Sequence, residues 1–98
     1  MIPTPENSLA DVRRRIDAID AQVVALLAVR EEQVRRAAGF KADEQGVRAP
    51  ARVEQVISKV RGLASEAGAS PDVVESVYRA MITAFIDLEL SEHRRTDG

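Results

Sequence analysis

The chain has no cysteine and no tryptophan, and its 98 residues include only two Phe and one Tyr. Without cysteine, neither disulfides nor thiolate metal sites are available. No apolar run approaches the roughly 20 residues needed to span a bilayer. Neither sign of charge dominates: 14 Lys and Arg stand against 16 Asp and Glu, for a net charge of −2. That balance argues against a nucleic-acid partner despite the run Arg13-Arg14-Arg15, as does the shortage of aromatic rings for stacking on bases. Residues 1–7 hold two Pro and no apolar run, so no signal peptide is expected there. The expectation is a soluble, cytoplasmic, single-domain protein spanning 1–98, near the low end of length for burying a good core.

Ala, Val, Leu, Ile, Glu and Arg supply most of the chain, a composition that favours helix. The longest regular pattern begins at Leu9 and continues through Val12, Ile16, Ile19, Val23 and Leu26, in steps of three and four, the period of an amphipathic helix. Ser8 is placed to cap it, with Asp11 in the first turn, and the helix is expected to run to about Phe40. Asp43, Gly46 and Pro50 mark 42–50 as a loop. A second helix starts at Pro50 or Ala51 and carries Val53, Val56, Ile57, Val60, Leu63, Ala64 and Ala67. Gly68 is placed to end it in a left-handed cap. Ser70-Pro71-Asp72 is a restart signal for a third helix with Val74, Val77, Tyr78, Met81, Ile82, Phe85 and Leu88. The first seven residues read as a flexible arm, and 93–98 as a fraying tail. The fold class is therefore all-α: three helices, one very long and two shorter.

Their lengths do not match. The first helix, at about 32 residues, is roughly 48 Å long, whereas a compact domain of this size is about 30 Å across. Two shorter helices cannot cover it, so its stripe needs a partner. The simplest is a second copy related by a two-fold axis, giving an intertwined helical homodimer.

Charges stand where the stripes call for apolar residues. Arg30 is the next stripe position after Leu26, and Lys41 follows about three turns later, roughly 16 Å along the same face. Arg13 flanks the stripe between Val12 and Ile16. Arg52 stands one position before the second helix's stripe. Glu89 aligns with Tyr78, Ile82 and Phe85. Each has an ordinary explanation alone: snorkelling for Arg30, the helix dipole for Lys41, a solvated face for Arg13, a local partner for Arg52 and an ion pair for Glu89. Together they form four cations and an acid beside apolar faces, and buried charge needs compensation. A small dianion supplies it. Arg13 and Arg30 lie about 25 Å apart along one helix, so no small ligand bridges them within one chain. If Arg13 joins the site, it comes from the other subunit.

The stretches V-R-R-R-I-D-A-I-D-A-Q-V-V-A-L-L-A-V-R (12–30), F-K (40–41), A-P-A-R-V (49–53) and E-S-V-Y-R-A-M-I (75–82), ending at Glu89, resemble the AroQ-class chorismate mutases, which are all-helical intertwined dimers. The resemblance covers nearly the whole chain. It implies that Arg13 enters from the neighbouring subunit to hold one substrate carboxylate and that Arg30 pairs with the other. Lys41 bonds the ether oxygen and a carboxylate, and Arg52 lies near the site. Glu89 faces the ether oxygen, where many members have Gln and some Glu. The implied reaction, chorismate to prephenate, is one pericyclic step that needs no metal, nucleophile or cofactor. The tasks are to fold the substrate and to stabilise negative charge growing on the breaking ether oxygen. Arg forks suit carboxylates. Glu89 can donate to that oxygen only when protonated, so activity is expected to fall as pH rises through its titration.

The chain also departs from the mutase pattern. Typical mutases of this class carry Asp and Glu where this one has Ala49 and Val53. There and in F-K-A-D-E (40–44) it looks more like the isochorismate-pyruvate lyases, whose position matching Glu89 is usually Gln. Mutases of 4-amino-4-deoxychorismate depart around the same loop. Glu89 and the frequency of mutases in the family tilt the reading to chorismate mutase. A non-enzymatic helical dimerisation module would explain the stripes and the dimer but not Arg30, Lys41 and Glu89.

Overall fold

A computed structural model of the chain describes residues 8–97, with side chains to residue 94. Four helices follow one another: α1 (Leu9–Ala38), α2 (Glu44–Arg48), α3 (Pro50–Ala67) and α4 (Pro71–Asp97). The all-α expectation holds. The arm at 1–7 lies outside the described residues, and α4 continues to Asp97, through most of the stretch expected to fray. The chain divides into two units, Met1–Gln33 and Val34–Gly98.

The first unit, taken by itself, is most of α1. Its start follows the sequence: the Asp11 amide donates to Ser8 Oγ at 3.0 Å, and that hydroxyl donates to Asp11 Oδ2 at 2.7 Å. The cap thus satisfies one of the amides left open at a helix start. No residue of α1 is buried. Val12, Ile16, Ile19, Val23 and Leu26 are between 40% and 69% exposed, so this unit by itself has no core.

The second unit holds a core. α1 ends at Ala38, two residues before the expected Phe40, and tight turns replace its last bonds: the Phe40 amide donates to Ala37 O and the Lys41 amide to Ala38 O. The expected loop at 42–50 contains a helix of its own, α2. Asp43 opens it, its carboxylate accepting from the Gly46 amide at 2.8 Å. Ala49 closes it in the left-handed region at φ 34° and at once opens α3, with Pro50 in the first position. A residue before proline is disfavoured in the right-handed helical region, which is why α2 and α3 cannot fuse. At the far end of α3, Gly68 adopts φ 79° as expected, and the Ala69 amide returns to Ala64 O at 2.8 Å. The Ser70 hydroxyl accepts from Val73 N at 3.4 Å at the start of α4.

α3 and α4 pack against each other, and α2 packs on α4. Val47, Ile57, Val60, Ala64, Ile82 and Leu90 are buried. An ion-pair network ties α3 to α4 on the surface. Arg79 forks onto Glu54 with two bonds of 2.9 Å, and its Nε donates to Glu75 at 2.7 Å. Arg61 reaches Glu75 at 2.8 Å and Asp72 at 3.0 Å. Hydrogen bonding from Arg79 holds the Glu54 and Glu75 carboxyls below their ordinary range, and bonding to Glu54 and Glu75 raises Arg79.

Candidate active site

The site is set by two elements meeting. The turn after α1 projects Lys41, and the last third of α4 carries Glu89, Glu92 and His93 on one face, spaced i, i+3 and i+4. Lys41 Nζ donates to Glu89 Oε2 at 3.1 Å. The Glu89 side chain is 6% exposed and that of Lys41 26%. Among the described residues, Glu89 is the one buried charged residue. A buried carboxylate without a partner would be costly, and the Lys41 ammonium supplies the compensation. In this geometry Glu89 is the acceptor; to donate to a ligand oxygen it must first take up a proton.

The pair lines a cavity of about 450 Å³, shared with Arg35, Ala42, Glu92 and His93. That volume falls within the usual range for a small-molecule site. Arg35, near the end of α1, forms an ion pair with Glu92. The cavity therefore presents two cations and two carboxylates, each cation already matched with an acid. An incoming anion can be held there by taking over a cation from its acid or by meeting a protonated carboxyl. Among the described residues, no group of three or more His, Asp or Glu is placed to hold a metal ion.

Of the five residues singled out in the sequence, Lys41 and Glu89 are brought together. Arg52 is exposed, bonds Gln55 at 2.7 Å, and does not line this cavity. Arg13 and Arg30 belong to the first unit, where Arg13 is exposed and Arg30 half-buried. Sequence reasoning missed Arg35, Glu92 and His93. The signal for the last two was present: they stand one turn beyond Glu89 on its own helix face. Arg35 had none, because it lies off the stripe that carries Arg30 and Lys41.

Among the described residues, no helix is long and apolar enough to cross a membrane. Residues 12–90 match the family of type II chorismate mutases, a span that includes all five candidate residues. The chain is also 35% identical, over 97 residues, to a protein of Pseudomonas aeruginosa named isochorismate pyruvate lyase; the match covers 97% of this chain and 96% of that one.

Proposed function

The chain belongs to the type II chorismate mutase family, and from that premise we propose that it rearranges chorismate to prephenate. The observation that carries this reading is the Lys41–Glu89 pair, an acid buried against a cation at the wall of a cavity. In the rearrangement the ether C–O bond breaks as a C–C bond forms, and negative charge grows on the ether oxygen. Lys41 answers that charge with an ammonium already held at the cavity wall, which turns from Glu89 to the ether oxygen as the charge develops. Glu89 donates to the same oxygen once it has taken up a proton. Arg30 and Arg13 hold the two carboxylates and keep the side chain folded over the ring. Arg52 adds positive charge near the site.

In this reading Arg13 comes from a second copy of the chain. The support is the exposed stripe of α1, whose apolar residues from Val12 to Leu26 are 40% to 69% exposed, the kind of apolar face that marks an interaction surface. Covering it with the same stripe of a partner gives a symmetric, intertwined dimer. Mixing Arg13→Ala chains with Lys41→Ala chains tests the shared site. Either variant alone is inactive. Random exchange makes about half the dimers mixed, each with one intact site, so the mixture recovers about a quarter of wild-type activity. A mixture as inactive as its components would sink the shared site.

A second reading has a specific observation behind it. The relative named isochorismate pyruvate lyase is similar along its whole length, and Ala49 and Val53 stand where mutases carry acids. Offering pure protein chorismate, isochorismate and 4-amino-4-deoxychorismate, with products separated by chromatography, decides between them. Prephenate from chorismate is the expected result. Salicylate and pyruvate from isochorismate alone would replace it with the lyase. No turnover of any of the three would end the enzymatic reading.

A further inference from the structure

We propose that Asp43 is a positioning residue for Lys41, acting through the cap it forms on α2. The inference rests on the reading of Lys41 as the group that meets the ether oxygen.

Lys41 is the last residue held by the turns that finish α1, its amide bonded to Ala38 O at 3.1 Å. One residue separates it from Asp43, where the chain is extended, at φ −151° and ψ 176°. Asp43 then grips α2 twice. Its carboxylate accepts from the Gly46 amide at 2.8 Å, and its carbonyl accepts from the Val47 amide at 3.2 Å. Val47 is 2% exposed, sealed where α2 packs on α4. The Lys41 backbone is thus fixed on one side by α1 and on the other by a cap whose helix is docked onto the element that carries Glu89.

The stem of Lys41 is also in place. A Cβ built on Gly46 would lie 3.5 Å from Lys41 Cβ and 3.4 Å from Asp43 Oδ1, so α2 runs alongside the base of the lysine. A five-residue helix has too few internal bonds to persist alone, which leaves the cap and the buried Val47 to hold it. Asp43 is exposed and does not line the cavity; by its surroundings it is an ordinary solvated acid. Its importance comes from where the capped helix sits.

The test compares Asp43→Ala with Asp43→Asn and Asp43→Ser. Alanine removes the cap, while Asn and Ser rebuild it, both without the charge. Asp43→Ala is expected to lower kcat by about tenfold or more, because displacing a catalytic group by a fraction of an ångström is costly, with KM little changed. The Asn and Ser variants recover most of that loss. A second readout needs no substrate: the Lys41 ammonium signal in NMR, sharp while it is bonded to Glu89, broadens in Asp43→Ala and returns in Asp43→Asn. Wild-type kcat in Asp43→Ala overturns the proposal. So does an Asn variant as impaired as Ala, which would mean that the charge acts and the cap does not. If wild-type protein turns over none of the three substrates, the functional reading fails while the ammonium signal still decides whether Asp43 positions Lys41.

Discussion

Two sets of ion pairs in the second unit are built from the same chemistry and serve different ends. On the surface, Arg61 and Arg79 share Glu54, Asp72 and Glu75, so that each guanidinium serves two acids. At the cavity, Lys41 faces Glu89, and the acid is buried. The surface network has planar forks matched to carboxylates, a geometry suited to fixing α3 on α4. The cavity pair has a single flexible ammonium, which can leave one oxygen for another. One arrangement is made to stay closed; the other can exchange its partner. Redundancy marks the first and burial the second.

That contrast can be broken residue by residue. The largest effect is expected from Lys41→Met, which removes the ammonium but keeps the length of the stem: kcat/KM falls by about 10²- to 10³-fold. Steady-state kinetics on chorismate measures it, and a loss below tenfold would remove Lys41 from the chemistry. Glu89→Gln comes next. An amide donates without first taking up a proton, so kcat/KM on chorismate should stay within about tenfold of wild type. A loss as large as that of Lys41→Met would count against Glu89 as donor.

Arg79→Met belongs to the other half of the comparison. It should lower Tm by several degrees and leave kcat alone, since the network touches no cavity residue. Acid should mimic it. Glu54 and Glu75 are held below the ordinary carboxylate value of 4.5. Their contribution to stability is therefore complete above that value and lost as pH falls through the lowered one. Thermal melts from pH 6 downward should show wild type losing stability faster than Arg79→Met; parallel curves would mean that the network contributes nothing. The smallest effect is expected at Ala49. Its left-handed backbone strains an alanine, so Ala49→Gly relieves the strain at some cost in chain entropy and should raise stability by less than about 1 kcal/mol. A denaturant midpoint below wild type would contradict this.

Much of this was legible in the sequence, and the reasons are local. Ser8, Gly68 and Ser70-Pro71 announce helix ends through their own hydrogen bonds and backbone preferences, so the long elements were readable. Lys41 and Glu89 stood out because each breaks a stripe. α2 was not legible. It spans little more than one turn, too short to show a period, and Gly46 and Pro50 read as breakers. Its only mark was Asp43, three residues before the amide it caps. Val47 was missed with it, since its burial depends on α4 and not on its neighbours in sequence. Arg35 was missed because nothing local links it to Glu92, 57 residues away.

The junction at Ala49 has a consequence for how this chain can change. One residue ends α2 and begins α3, with no slack between them. Each residue added inside a helix rotates the chain beyond it by about 100°. An insertion between Val47 and Arg48, inside α2, would therefore swing the junction and Ile57 out of register with Val47, and one of the two would have to leave the core. Most links between helices absorb a change of length at the surface. This one transmits it to the interior, so the segment from Asp43 to Pro50 should tolerate substitution far better than insertion or deletion.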